Sequence, residues 1–358
     1  MDRAAKDNYS TSTKILVAIS GGVDSSVAAA LLLEAGYNCA GVFMITNDDA
    51  RHALTDARTV ADKLGIELHV LDLREQFRQV LCYFGSEYGA GRTPNPCVFC
   101  NRLIKFGRLM DFARNNGADL LATGHYAQIC ANEGEAGLYE AVQADKDQSY
   151  VLAQIERSVL PSVRLPMGTY GKTDTRRIAS EFGLHTADKA DSQEICFIPD
   201  DDYVRVLEEH YPSLARSGDI IDSSGKVLGR HGGIHRFTIG QRRGLGIAMG
   251  TPYYVSHIDA GRNTVTLGPK AEVMHRTLMA SGVNWLMSPP SEAFRARIRI
   301  RYNDRGAGGV VTSEGDRVKV RFDQPRLAIT PGQLAVFYIE ESGRQRVAGS
   351  AWIDSVGD

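Results

Sequence analysis

From Lys14 onward, short apolar runs alternate with stretches of helical periodicity: KILVAIS, a helix over Ser26–Ala35, CAGVFMI, a helix around Ala53–Leu64, ELHVLDL, and another helix. Strands separated by helices pair in parallel through right-handed crossovers, so this pattern predicts a doubly wound, mostly parallel α/β sheet. A further unit follows. Over Asn101–Asn116 the apolar positions Leu103, Ile104, Phe106, Leu109, Met110 and Phe112 predict an amphipathic helix, ended by Gly117 and followed by the strand DLLAT. Two more helices are expected at Asp147–Ile155 and Thr173–Phe182.

Beyond about residue 210 the style changes. Short alternating runs are split by Asp-Ser-Ser-Gly, Gly-Arg-Asn and Pro-Gly, which predicts antiparallel β structure. The expected layout is a polar, disordered extension over 1–13, a catalytic domain over 14–210, a small central β domain over 211–275 and a C-terminal β barrel over 276–358.

A chain of 358 residues has room for several cores, and 43% hydrophobic with 23% charged residues is a globular composition. The opening residues have no apolar signal segment, and the longest apolar run, Val27–Leu33, is far below a membrane span. No membrane association and a cytoplasmic location are therefore expected. Formal net charge is only −2, yet positive charge is concentrated in the second half. Lys226–Gly250 holds five basic residues and no acidic one, and Glu292–Arg326 holds nine basic against five acidic, a net of +4. Arg295, Arg297, Arg299 and Arg301 alternate with apolar residues, so on a strand four guanidinium groups would share one face, suited to phosphate. A solvated outer barrel face is the plainer alternative.

The segment Ser20-Gly21-Gly22-Val23-Asp24-Ser25 lies between the first strand and the first helix. Two glycines permit a tight turn that aims N–H groups at an anion, and the helix N-terminus and serine hydroxyls add donors. This is an oligophosphate cradle without the Gly-Lys-Ser/Thr of a P-loop, so γ-phosphate transfer is not the expected chemistry. SGGVDSS resembles the PP-loop of the ATP pyrophosphatases, which cleave ATP between its α and β phosphates. That resemblance implies that Ala18, Ile19, Ser20, Gly21, Gly22, Val23, Asp24 and Ser25 hold ATP, with Asp24 positioning Mg2+. It also places Met44 by the adenine and Gly124 against the nucleotide. A Met ending an apolar strand is otherwise a core residue.

Six cysteines are too few for a disulfide scaffold. Cys97 and Cys100 lie where a loop stiffened by Pro94 and Pro96 meets the amphipathic helix, and a thiol near a helix N-terminus is acidified. This position suits Cys100 as a nucleophile. Half a zinc site or a redox pair are the alternatives, but no second ligand pair accompanies them. Cys196, between Ile195 and Phe197 after a stretch that suggests a mobile loop, would by its neighbours alone be buried and inert. Cys39, Cys82 and Cys130 are read as inert.

Taken together and in order, SGGVDSS, GRTPNPCVFCNRLIKFG, ATGHYA, KDQSYVL, DSQEICFI and TIGQRRGLGIA closely resemble the tRNA-uridine 2-sulfurtransferases of the MnmA/TrmU type. The resemblance implies ATP-dependent thiolation of a wobble uridine in the anticodon stem-loop of tRNA. A sulfur-donor protein, such as a cysteine desulfurase or a sulfur-relay carrier, would supply the sulfur. It further implies that Cys100 is the nucleophile and that Cys196 carries a persulfide. Asn95, Pro96 and Cys97 would meet the target base, and Lys146, Asp147, Gln148, Arg301 and Tyr302 the tRNA. His125 and Gln333 match positions important for activity.

Three departures stand out: Cys97 replaces the Asp that many members have, the segment between Asn47 and Ala57 is short and lacks a cysteine, and VAGSAWI replaces a glycine-richer ending. Two other readings remain. An amidating ligase would need neither the special cysteines nor a basic second half. An RNA-binding iron-sulfur protein could use Cys97, Cys100 and Cys196 as three thiolates for a [4Fe-4S] cluster with one open iron.

Overall fold

The computed structural model describes residues 13–132, 134–189, 195–198, 200, 202–247 and 250–357. Nearly all of the expected 1–13 extension, and Asp191–Glu194 of the DSQEICFI motif, lie outside the described residues. The chain packs into two units. The first comprises Met1–Gln79, Cys97–Gln193 and Glu340–Val347; the second comprises Val80–Pro96, Glu194–Ile339 and Ala348–Asp358.

The first unit is built on a five-stranded sheet. Its strands are β1 (Lys14–Ala18), β2 (Asn38–Ile45), β3 (Leu68–Asp72), β4 (Leu120–Ala122) and β5 (Val163–Arg164), in the order β3-β2-β1-β4-β5 and parallel throughout. The apolar run KILVA makes β1 central, with Ile15, Leu16 and Val17 at most 1% exposed. The helix α1 (Val23–Glu34) buries nine of its residues, which is why its sequence is apolar on nearly every face. By contrast α2 (Arg51–Leu64) buries only Ala57, Val60 and Ala61, and ends on Gly65, whose φ of 67° closes the helix left-handed. The chain runs outward from β1 to β3, then returns to β4 on the other side of β1. Strand order therefore reverses at the carboxyl end of β1, the crevice in which open α/β sheets bind ligands.

Three elements differ from expectation. The predicted helix over 101–116 begins earlier and changes register: an α-helical turn Pro96–Cys100, a π-helical stretch Asn101–Arg108, then α-helix Leu109–Asn115. The predicted helix over 147–155 is a single turn, Ser149–Leu152, because Asp147 folds the chain before it. A hairpin of Gln128–Asn132 and Glu135–Tyr139 has no counterpart in the sequence pattern, and Arg346 pairs with its second strand at Tyr139.

The second unit contains the small β sheet and the barrel. The strands Gly218–Asp222, Val227–His231, Tyr254–Asp259 and Thr264–Gly268 surround a core of Ile220, Phe237, Val255, Val265 and Leu267. They are not all antiparallel as expected, since Thr264–Gly268 runs parallel to Gly218–Asp222. Six barrel strands follow: Met274–Trp285, Phe294–Arg299, Ala307–Glu314, Arg317–Leu327, Leu334–Glu341 and Arg344–Gly357. The first pairs with both the fourth and the last, which closes the six strands into a barrel. Alternate residues such as Val318, Val320 and Phe322 fill its interior.

Candidate active site

The loop after β1 is held open by its own side chains. Ser25 Oγ accepts from the Ser20 amide at 3.1 Å and donates to the Gly22 carbonyl at 3.1 Å, while Ser26 Oγ donates to the same carbonyl at 2.8 Å. Gly21 has a φ of 76°, and a Cβ there would stand 2.5 Å from the Ala53 carbonyl oxygen, so only glycine fits the turn. Gly124, just after β4, approaches α1 so closely that its Cβ would lie 2.7 Å from the Ser25 amide nitrogen. The sequence-predicted nucleotide residues Ala18–Ser25 and Gly124 are thus assembled at the point where strand order reverses. Met44, at the end of β2, is half-buried rather than sealed in the core.

Charged groups that the motifs do not reveal gather on this loop. The Asp24 carboxylate accepts at one oxygen from Tyr126 Oη (2.6 Å) and Lys172 Nζ (2.7 Å). Lys189 Nζ donates to the Gly21 carbonyl at 2.9 Å and to Asp56 Oδ2 at 2.5 Å, and His185 meets the other Asp56 oxygen at 3.2 Å. The Lys189 bond holds the Asp56 carboxyl below its ordinary range. A lysine far from a glycine loop in sequence carries no local signal, and only folding brings it there.

The surroundings of His125 favour its neutral form. Burial, and secondarily the Lys105 ammonium, depress its pKa well below the ordinary value. One ring nitrogen pairs with Thr123 Oγ1 at 2.7 Å and the other with Lys105 Nζ at 3.3 Å. Next to it, Gln148 and Tyr126 exchange two bonds: the Tyr126 amide donates to Gln148 Oε1, and the Gln148 amide donates to the Tyr126 carbonyl. Asp147 is 4% exposed, and its carboxylate accepts from the Ala141 and Ser149 amides and the Ser149 hydroxyl. Asp147 therefore shapes the loop, and Lys146 beside it is half-exposed.

The π-helical stretch follows Cys100 directly. Asn101, 1% exposed, donates to the Val151 carbonyl at 2.9 Å, and Arg102 reaches Gln154 at 3.2 Å, so this helix is pinned to the segment that follows Gln148. Such π-helical insertions are costly and recur at functional sites. The helix begins at Pro96, so the first-turn thiol that feels the helix dipole is Cys97; Cys100 instead stands at the α-to-π junction. Both are half-buried.

In the second unit, Thr93 and Pro94 lead into this helix and are clamped. Gln333 Nε2 donates to both of their carbonyl oxygens at 3.0 Å, and the Thr93 amide donates to the Pro331 carbonyl at 3.0 Å. The Asn95 amide points to Tyr83 Oη at 3.4 Å. Cys196 is exposed, against the reading from its neighbours. Phe197 packs edge-on against Phe84 and Ile198 is 2% exposed, so the flanking apolar side chains anchor a turn that leaves the thiol outside. Burial pushes the Cys39 thiol up to about 12, in keeping with an inert role.

The arginines of the expected phosphate face stand in different settings. Arg295 pairs with Asp323, Arg297 lies over the Tyr338 ring, and Arg299 is 7% exposed with bonds to Tyr338 Oη and the Tyr302 carbonyl. Arg301, past the strand end, bonds the carbonyls of Ile239 and Ala328 and the hydroxyl of Thr330; Tyr302 is exposed. Arg299 and Arg301 are thus engaged by the barrel's own acceptors, while Arg295 stays exposed beside Asp323. Among the described residues no group of three or more His, Cys, Asp or Glu side chains is placed to hold a metal ion. No helix among the described residues is long and apolar enough to cross a membrane.

A parallel sheet with a glycine loop at its switch point, without a loop lysine and with a closed barrel following it, defines the class of ATP-using PP-loop enzymes. Family models place the chain further. The tRNA methyl transferase HUP domain matches residues 13–200, the tRNA methyl transferase PRC-barrel domain 205–269, and the aminomethyltransferase beta-barrel domain 275–353. The chain is 49% identical over 348 residues to a tRNA-specific 2-thiouridylase MnmA of Syntrophotalea carbinolica, covering 95% of this chain and 98% of that one. It is 47% identical to the protein of that name from Carboxydothermus hydrogenoformans, over 91% and 94% of the two chains. The chain belongs to the MnmA family of tRNA-specific 2-thiouridylases. Among solved structures, the U34-tRNA thiolase NcsA from Methanococcus maripaludis with its [4Fe-4S] cluster is 18% identical. It covers 56% of this chain and 68% of that one at a TM-score of 0.36, too loose a likeness to bear on function.

Proposed function

We propose that this protein is a cytoplasmic tRNA sulfurtransferase that replaces the 2-oxygen of the wobble uridine with sulfur. The observation that carries the reading is the pairing of a phosphate loop lacking its own lysine with two thiols in prepared settings: Cys100 on a clamped, π-registered helix and Cys196 on an anchored, exposed turn.

A uracil carbonyl oxygen is a very poor leaving group. Attack of that oxygen on the α-phosphate of ATP expels pyrophosphate and leaves an adenylated base. The Cys196 persulfide, loaded by a donor protein, then supplies sulfur to the same carbon, and AMP departs. Cys100 attacks the persulfide, forming a Cys100–Cys196 disulfide as sulfur is released, and a thiol reductant restores both. Asn95, Pro96 and Cys97 would receive the base after it leaves its stack. Lys146, Gln148, Arg301 and Tyr302 would lie along the tRNA.

Mg2+ fits the loop: Asp24 accepts from Tyr126 and Lys172 at Oδ1, and a cation that takes most of its ligands from phosphates and water needs little more than a second carboxylate oxygen. It would supply charge neutralisation at the phosphates. Adenylation and a persulfide suffice for the reaction, so no step is routed through a [4Fe-4S] cluster. Cys97 stands in place of a carboxylate, and both nitrogens of His125 are engaged by Thr123 and Lys105. Turnover on tRNA with labelled ATP should yield AMP, pyrophosphate and 2-thiouridine in equal amounts; ADP and phosphate would overturn the assignment.

A further inference from the structure

A triphosphate brings about four negative charges to a loop that carries one of its own, on Asp24, with Asp56 close behind it. A Cβ on Gly21 would lie 3.2 Å from that of Asp56. P-loop enzymes solve this problem with a lysine inside the loop. Here the only residue types between Ala18 and Ser26 are apolar, glycine, serine and aspartate. The compensating charge has to arrive from elsewhere in the fold.

Two ammonium groups reach the loop, one at each end. Lys172 touches Asp24 and is 17% exposed, while Lys189 touches the Gly21 carbonyl and Asp56 and is 41% exposed. They share one frame. Lys172 opens the helix Lys172–Glu181, whose Ile178 and Ala179 are buried in the sheet core. Four residues on, Arg176 donates to the carbonyls of Ala187 and of Lys189 itself, at 2.8 and 3.1 Å. The helix thereby fixes the backbone from which Lys189 projects. His185, on the intervening turn, fixes the Asp56 oxygen opposite Lys189.

Exposed lysine–carboxylate pairs are weak, so bonds of this kind do not explain why two lysines are mounted so firmly. Phosphate is the stronger partner, since charge-assisted bonds to it are short, and a lysine ammonium carries three donors that can serve a carboxylate and a phosphate together. From this geometry we infer that Lys172 and Lys189 are the oligophosphate-binding cations of the nucleotide site, with Asp24 and Asp56 holding them aimed at the loop and Arg176 as the positioning residue that couples them. The inference rests on the reading of the loop as an ATP site and is independent of what the ATP is used for.

The test is binding to the full chain, without tRNA or sulfur donor, of three probes: ATP, inorganic pyrophosphate in EDTA, and adenosine. Lys172→Met and Lys189→Met should each weaken ATP and pyrophosphate about tenfold or more and leave adenosine unchanged, while Lys172→Arg and Lys189→Arg keep most of the affinity. Arg176→Met should weaken pyrophosphate through Lys189, and adding Lys189→Met to it should cost little more. If the lysines serve only as partners of the carboxylates, Asp24→Asn/Lys172→Met and Asp56→Asn/Lys189→Met will recover pyrophosphate affinity, and the inference is overturned. The double variants also carry the measurement should a single variant fail to fold. Unchanged pyrophosphate affinity in both Met variants overturns it equally. Failure of the unsubstituted chain to bind ATP would defeat the reading of the loop itself, whereas normal binding with no thiolation would defeat the proposed reaction and leave the two lysines in place.

Discussion

A nucleophile, a sulfur carrier and a bystander fail differently, and the three thiols Cys100, Cys196 and Cys97 can be told apart on that basis. Cys196→Ser should abolish both persulfide loading and 2-thiouridine, and Cys100→Ser should still load sulfur on Cys196 but not release it to the base. Cys97→Ser should keep substantial activity, with or without oxygen, because no step of the proposed reaction passes through this first-turn thiol. Persulfide-specific labelling beside nucleoside mass spectrometry reads all three; normal thiolation by the Cys196 variant would contradict the mechanism. His125 gives a second residue-scale expectation. Its folded pKa lies below the unfolded value of 6.5, so the unfolded chain binds the extra proton first. Its share of stability is complete above pH 6.5 and is lost as pH falls toward the folded pKa, at up to about 1.4 kcal/mol per unit. Thermal unfolding of His125→Asn should therefore be flatter than that of the parent between pH 6.5 and 5, and parallel curves would deny the neutral, buried imidazole.

Among elements, the parallel sheet and the phosphate loop are legible in the sequence because their signals are local: an apolar run, two glycines, then a buried helix. The π register after Cys100 is not, since apolar positions at 103, 104, 106, 109, 110 and 112 satisfy an α-helix nearly as well and the deviation is imposed by Asn101 and Arg102 gripping another segment. Lys172, Lys189 and Tyr126 stay hidden for the same reason; each acts through a partner a hundred or more residues away. Cys196 is misread from its neighbours because Phe197 and Ile198 are anchors rather than a burial environment. Gln333 shows how such long-range bonds set an element's role. Its amide holds the two carbonyls just before Asn95, and Gly332 beside it has a φ of 89° and no room for a Cβ, which would lie 2.8 Å from the Thr93 oxygen. Gln333→Ala leaves two carbonyls without their donor, at a cost of about 1–3 kcal/mol in local order. Thiolation should fall, with the loss in kcat/KM for tRNA, while ATP affinity stays at the parent value. A matching loss of ATP affinity would show that the variant disturbs more than the loop.

At the scale of the molecule, the question is where the basic surplus of the second half meets an RNA backbone. The alternating arginines at 295, 297, 299 and 301 are the strongest charge pattern in the sequence, but two of them also serve the barrel: Arg299 is buried against Tyr338 and Arg301 bonds three acceptors. Arg299→Ala should accordingly cost roughly 1–3 kcal/mol of stability, read as a lowered Tm, rather than report on phosphate binding. The run Lys226–Gly250 has five basic residues and no acidic one, and Arg242 and Arg243 within it are exposed. Of the others, Arg236 is paired with Glu208 and Arg230 stands near Asp219. Arg242 and Arg243 thus form an adjacent, exposed pair of positive charges in this run. Replacing both by Gln should leave Tm and ATP affinity unchanged and weaken tRNA binding, most strongly at low salt. Every arginine–phosphate pairing removed should reduce the slope of log K against log salt by about 0.7 to 0.9, so the double variant should flatten it by nearly twice that. An unchanged slope in the double variant, together with a flattened slope in Arg295→Gln, would return the phosphate-binding surface to the barrel face.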